Sequence, residues 1–297
     1  MTALTPLTVP NPPTSWHGHL ELDYAQREEK TILDRVFVQA PLKVQRPFYP
    51  EAGTCHTVML HTAGGIVGGD RLSLQINLQP QTHALLTSAA AAKIYRSNGQ
   101  EAQQTTHIKI GASACLEWFP QETIVFDGAQ YAQQLKVELE PGAIWMGWDI
   151  TRLGRSARGE RFNGGYWRSK TEVWQNERLL WIDPQGIQGG HEMMTSLHGL
   201  AGYPVIGSFV FIGREVSPDR VKAARTAWYP EGKEPEASIS LHESANQVGV
   251  TRLTAGLLCR YRGNSTLEAR KWFMRVWELV RQEELGRSIC VPRVWQI

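Results

Sequence analysis

The sequence predicts a mainly β protein carrying two α-helices, on three observations. Apolar residues recur with a period of two in several short runs, turn residues punctuate those runs, and only two segments carry helix start and stop signals. With 297 residues, 42% of them hydrophobic, the chain is long enough to bury a substantial core. No segment reaches the roughly 18 consecutive apolar residues of a membrane span.

The clearest strand is Arg71 to Leu78, where Leu72, Leu74, Ile76 and Leu78 alternate with Arg71, Ser73, Gln75 and Asn77. Gln133 to Leu139 repeats the pattern with Leu135, Val137 and Leu139 on one face, and Thr106 to Ile110 repeats it in miniature. Thr171 to Trp174 and Arg178 to Ile182 flank Gln175-Asn176-Glu177, which predicts a hairpin. Val205 to Ile212 is a further strand, ended by Gly213. The first helix, about 218–228, starts at Ser217-Pro218, a cap followed by Pro at the first helical position, and Pro230 stops it. The second, 266–285, opens on Ser265-Thr266-Leu267-Glu268, which fits a capping box. Ala269, Trp272, Phe273, Val276 and Val280 give it an apolar stripe, and Gly286 sits at the expected C-terminal cap. Residues 1–16 are a Pro-rich lead-in, expected to order poorly without a partner, and residues 17–297 read as one domain without internal sequence repeats.

Composition excludes several classes of function. The 31 basic and 29 acidic residues leave a net charge of +2, which gives no support for a nucleic-acid partner. Arginines do cluster locally, at 152–168 and at 270–293, as solvated surface or as docking patches for acidic proteins. Cys55, Cys115, Cys259 and Cys290 are scattered, with neither zinc-site spacing nor a disulfide framework. Reduced thiols and the lack of a secretory pattern in residues 1–13 predict a cytoplasmic protein with no membrane contact.

The stretch from His61 to Asp70 holds four glycines in six residues, yet it lacks the Gly-Lys-Ser/Thr ending of a phosphate loop, and a strand follows it instead of a helix. It reads as a tight turn between strands. His191-Glu192 is not completed to a zincin motif, because position 195 is Thr, and Cys55-His56 with His61 finds no second cluster to close a four-ligand site. There is no Gly-x-Ser-x-Gly elbow. Two acid pairs, Glu117 with Glu122 and Asp149 with Glu160, leave open a β-fold hydrolase or glycosidase using paired carboxylates. The eleven tryptophans fit core packing, or a sugar-binding face if they line one sheet exposed to solvent.

Longer blocks carry a resemblance. In order they are Arg46-Pro47, His61 to Asp70, Thr87 through Lys93-Ile94-Tyr95-Arg96, and Glu117 to Phe126. Leu153-Gly154-Arg155, Gly159-Glu160-Arg161-Phe162 and the ending Pro292-Arg293-Val294-Trp295 complete the set. Across roughly residues 45–297 the chain resembles the UreD family of urease accessory proteins, called UreH in some bacteria; the lead-in has no counterpart in the match. The resemblance implies a stacked, two-layer β-helix-like arrangement with two helices. It also implies a chaperone without catalysis of its own that helps insert nickel into apo-urease. Expected partners are apo-urease, UreF and, through UreF, the GTPase UreG, in a complex that can hold two copies. No cofactor is permanently bound; nickel(II) passes through in transit.

A passage of this kind must release its ion, which favours oxygen donors and water over a Cys/His cage. The passage-lining acids expected from the matched blocks are Glu117, Glu122, Asp149 and Glu160, with Asp70 as a further one. Each competes with a plainer reading as the partner of a neighbouring arginine such as Arg96, Arg155 or Arg161. Partner docking is expected at the C-terminal helix and tail, on Trp277, Arg281, Arg293 and Trp295, because aromatic and Arg side chains are the usual interface anchors.

Overall fold

The computed structural model describes residues 15–229 and 246–295, so nearly all of the lead-in expected at 1–16 lies outside the described residues. Strand makes up 50% of the chain and helix 14%, as the alternating runs predict. The strands are β1 (His17–Arg27), β2 (Lys30–Gln39), β3 (Leu42–Val44), β4 (Cys55–His61), β5 (Arg71–Leu78) and β6 (His83–Ser88). They continue with β7 (Ala92–Ile94), β8 (Ala102–Ile110), β9 (Cys115–Phe119), β10 (Thr123–Val125), β11 (Gln130–Leu139) and β12 (Ile144–Leu153). After β13 (Tyr166–Gln175), β14 (Arg178–Gln188) and β15 (Val205–Ile212) come helix α1 (Pro218–Thr226), β16 (Gln247–Leu253), β17 (Gly256–Gly263) and helix α2 (Thr266–Leu285).

These strands form two sheets. The first runs β14-β13-β11-β8-β5-β1-β2, and the second runs β16-β17-β15-β12-β9-β6-β4-β3, with β10 and β7 attached beside β12. The middle of the chain alternates between them: β4, β6, β9 and β12 lie in the second sheet, while β5, β8, β11 and β13 lie in the first. Neighbours within each of these sets are parallel. Parallel pairing usually needs a helical crossover. Here the return path is a strand of the opposite sheet, so the chain winds as stacked coils, a β-solenoid.

Each coil packs its inward residues against the other layer. In β5 the buried positions are Leu72, Leu74, Ile76 and Leu78, and the intervening residues are more exposed. The second sheet differs, since β9 is buried at every residue and β12 at eight of ten. The reason is a third layer. Trp272, Phe273, Val276, Trp277 and Val280 of α2 pack on Phe119, Met146, Trp148, Phe209 and Phe211 of the sheet's outer face. Each large apolar side chain so buried contributes about 1.5–3 kcal/mol. Covered on both faces, these strands read as continuous apolar runs instead of alternating ones.

The punctuation follows the expected chemistry. Asn176 and Glu177 both take the left-handed conformation (φ 49° and 62°), which closes the β13–β14 hairpin with a two-residue turn. The glycine-rich stretch joins β4 to β5 as a nine-residue loop instead of the expected tight turn, and Ile66 within it bridges to Ile94. Gly69 has φ 93°, and a Cβ on Gly65 would stand 2.8 Å from the Lys93 carbonyl oxygen. α1 ends at Thr226, slightly before the expected 228, and α2 spans the expected residues.

At the start of α2 the capping box forms only by half. The Ser265 hydroxyl accepts from the Glu268 amide at 3.2 Å, but the Glu268 carboxylate accepts from Asn246, and the Ser265 amide donates to the Tyr261 hydroxyl. Tertiary partners displace the local one. Ser265→Ala is therefore expected to lower stability by about 1 kcal/mol, read as a shifted denaturant midpoint with an unchanged slope; a shift within error would show that the cap is dispensable. Of the eleven tryptophans only Trp16 is strongly exposed (48%), which rejects a sugar-binding row of surface indoles.

Candidate functional site

Because side chains alternate along a strand, a shift of one residue sends a group to the opposite face of a sheet. On the first sheet this rule places Gln104, Gln133, Ser169 and Gln185 in register across β8, β11, β13 and β14. The next rung inward along the strands is Thr106, Leu135, Thr171 and Asp183. Facing them on the second sheet, Asp149 of β12 lies beside Ser208 of β15, which lies beside Arg260 of β17. A polar layer thus crosses a solenoid whose core is otherwise chiefly apolar.

Between the sheets at this level lies a cavity of about 320 Å³ whose walls include Asp149, Asp183, His61, Gln133, Ser169 and Ser208. It has room for water. Exposed residues Gly64, Ala90 and Lys93 belong to its wall, so it reaches the surface on that side. A second cavity of about 360 Å³ shares Gln185 with the first and is bordered by Arg260 and Arg262. The two adjoin at an ion pair, in which Arg260 donates to Asp183 at 2.5 Å and to the Ser208 hydroxyl at 2.6 Å.

Gly147, two residues before Asp149 on the same face, makes room for the Trp145 ring, and both border the cavity. A Cβ there would stand 2.5 Å from the Trp145 ring. Asp149 accepts hydrogen bonds from Gln133 and, at 3.1 Å, from the Thr151 hydroxyl. Burial pushes its pKa up against those hydrogen bonds, and the negative charge of Asp183 adds to the rise. His61 is held below its usual value chiefly by burial, and neither of its ring nitrogens has a hydrogen-bond partner among the described residues. The cavity therefore offers two carboxylates, amide and hydroxyl oxygens, and one neutral imidazole. Such a set is rich in oxygen donors and poor in soft ligands.

Of the expected acids, only Asp149 is in the cavity wall. Glu117 lies on the opposite face of the second sheet, sharing it with Cys115 and Phe119 beneath α2. It is fully buried and hydrogen-bonded to His83 at 2.5 Å and to the Trp277 indole, with the Arg281 Nε 3.3 Å away. Glu122 is paired with Arg270, and Glu160 with Arg155 at 2.9 Å and with the Asp127 amide. Asp70 is buried and closes the glycine-rich loop, accepting from the amides of Trp16 at 2.7 Å and Val67 at 2.9 Å. The plainer reading as arginine partners thus describes Glu122 and Glu160, and Glu117 in part.

Two of the four docking residues need correction. Trp277 and Arg281 are fully buried and offer a partner no surface. They face the sheet because α2 is amphipathic and its apolar stripe extends to position 277; Arg281 follows to neutralise Glu117 and Glu51. Arg293 is exposed, while Trp295 packs against Trp148 and donates to Thr87 at 2.9 Å. Asp183 and His61 were not expected in the cavity. Asp183 has a readable signal, since it shares the inward parity of Ile187, whereas His61 has none beyond its place at the end of an inward-facing run.

A β-solenoid backed by helices, with an acid-bearing cavity between its sheets, defines a scaffold with an internal polar compartment. The profile of the UreD urease accessory protein family matches residues 17–296. The chain is 56% identical over 283 residues to urease accessory protein UreD of Nostoc punctiforme, covering 95% of this chain and 96% of that one. It is 54% identical over 283 residues to urease accessory protein UreD of Acaryochloris marina, with the same coverage. The chain belongs to the UreD family of urease accessory proteins, and so to urease maturation. Among the described residues no helix is long and apolar enough to cross a membrane.

Proposed function

We propose that this chain is a non-catalytic cytoplasmic scaffold for nickel insertion into apo-urease, and that nickel(II) passes through the cavity between its two sheets. The observation that carries the reading is the polar layer holding Asp149 and Asp183 inside an otherwise apolar solenoid. Carboxylates, amides, a hydroxyl row and one imidazole give successive weak ligands, so an ion can enter and leave without being trapped. Asp149 gives up its proton more readily once a cation arrives, because the ion supplies the positive charge that burial has withheld. The Asp183–Arg260 pair stands where the ion would leave the first cavity for the second, and the guanidinium must move aside for it to proceed.

In this reading the chain acts in a complex with apo-urease, UreF and the GTPase UreG, with exposed Arg293 and the neighbouring Trp295 as docking residues. GTP hydrolysis is assigned to UreG, which fits a glycine-rich stretch here that ends in a strand and lacks a phosphate-loop lysine. The alternative of a two-carboxylate hydrolase has less support. Glu117 and Asp149 face opposite sides of one sheet, and Glu122 and Glu160 are each bound to an arginine.

The test is activation of apo-urease in a mixture of UreF, UreG, GTP, bicarbonate and nickel, with and without this protein. Urease activity is expected only when it is present. Equal activation without it would overturn the reading.

A further inference from the structure

On the outer face of the second sheet, away from the cavity, Glu51, His56 and Cys290 bring a carboxylate oxygen, an imidazole nitrogen and a thiol sulfur within 4.8 Å of one another. We propose that these three side chains form a second metal site, for a divalent ion of borderline softness in the class of Ni²⁺, Co²⁺ and Zn²⁺. It is separate from the passage described above and does not depend on it.

Geometry comes first. Ligands about 2.0–2.3 Å from a tetrahedral ion stand roughly 3.3–3.8 Å apart, so closing the triad requires movements of about 1 Å. Parity explains the separation from the cavity. His56 alternates with inward-facing Cys55 and lies beside Leu85, itself beside Glu117, on the face covered by α2 and the segment after it. Cys290 belongs to that segment and reaches the site from 234 positions along the chain from His56.

The donors are available. Cys290 is a free thiol. His56 is 1% exposed, and while its Nε2 lies 2.9 Å from Glu51 Oε1, its Nδ1 has no hydrogen-bond partner among the described residues. Nε2 is the nitrogen that faces Glu51, and it would ligate the ion in place of that hydrogen bond once the ring carries its proton on Nδ1. Glu51 Oε1 already accepts from His56 and from Arg281 at 2.5 Å, whereas among the described residues Oε2 has only Arg287 at 3.9 Å, leaving that oxygen for an ion.

Charge is shared at the site, since Arg281 lies between Glu51 and Glu117. On coordination the Cys290 thiol releases its proton to solvent, and the thiolate sets a negative charge against the ion. A thiolate and an imidazole select borderline transition metals over Mg²⁺ or Ca²⁺. With only three protein ligands and Arg281 and Arg287 beside Glu51, the ion is exchangeable and keeps a water. Its structural effect is to fasten the segment that carries Arg293 and Trp295 to the start of β4.

The test is a Co²⁺ titration of the full chain, read by the thiolate-to-metal charge-transfer band in the near ultraviolet and by the melting temperature. One equivalent of Co²⁺ is expected to produce the band and raise Tm. Cys290→Ser should abolish the band, weaken binding at least tenfold and remove the Tm gain, while Asp149→Asn should leave all three intact. Because His56 is buried, Cys290→Ser at the half-buried tail is the variant that keeps the test decisive if a His56 substitution misfolds. Absence of the band in the wild type, or its persistence in Cys290→Ser, overturns the proposal. Loss of urease activation in Asp149→Asn with the band unchanged bears on the passage alone, so the two readings fail independently.

Discussion

Arg281→Ala is expected to lower the stability of the fold by about 3–5 kcal/mol. The Arg281 side chain is fully buried between two acids, with Glu51 on one side and Glu117 on the other, and it also donates to the Ser288 carbonyl at 2.5 Å. Removing it strands a buried carboxylate, Glu117, that keeps only His83 and the Trp277 indole. The group then has two costly options, an uncompensated charge or protonation at neutral pH.

A companion pH dependence follows. Burial alone would raise the pKa of Glu117, but the hydrogen bond and charge of His83, with Arg281 and the Trp277 indole, outweigh it and hold the carboxyl below its ordinary value. A carboxyl with a lowered folded-state pKa contributes stability that is complete above its unfolded pKa, near 4.3, and is lost as pH falls through the folded value. Wild-type stability should therefore drop steeply below about pH 4. In Arg281→Ala that step should shift to higher pH and shrink. Denaturant midpoints measured from neutral to acid pH check both statements, and a loss under 1 kcal/mol would show that the network is not holding the third layer in place.

The second large effect is on activity. Asp149→Ala is expected to reduce urease activation at least tenfold without loss of fold, and Asp149→Asn to do nearly the same. Asp149 alone of the five expected acids lines the cavity, and it faces Gln133 and Ser169 across the gap. Its stability sign is opposite to that of Glu117. A carboxyl with a raised folded-state pKa contributes stability that is complete below the unfolded pKa, near 3.9, and is lost as pH rises through the folded value. Ionising this buried carboxyl therefore costs the fold stability. Asparagine should leave Tm unchanged or raise it at pH 7, with the gain vanishing in acid. Full activation by Asp149→Asn would remove this residue from any ion route.

Much of the fold was legible because it rests on period two. The run from Leu72 to Leu78, the hairpin at Asn176-Glu177 and the helix from 266 all stand where their local chemistry places them. The third layer was not legible from alternation, since β9 and β12 are buried on both faces and so carry no alternating signal. That same loss of signal hid the site. Glu117 and Asp149 look equivalent as acids in apolar blocks, yet one faces α2 and the other the cavity. Only the strand register, which depends on pairings across the whole solenoid, separates them. Trp277 and Arg281 misled for a related reason, because the residue types that anchor interfaces also fill the space beneath an amphipathic helix.

The stacked-coil construction sets the length of the polar layer in fixed steps. Gln104, Gln133, Ser169 and Gln185 sit on four adjacent strands, three inter-strand intervals of about 4.8 Å, and so span about 14 Å. Loops can vary in sequence and length without altering that distance, whereas gaining or losing one coil would change it by a whole step. The reach of the compartment is thus counted in strands, like rungs of a ladder, and in the proposed passage the distance an ion has to cover is fixed by the number of coils.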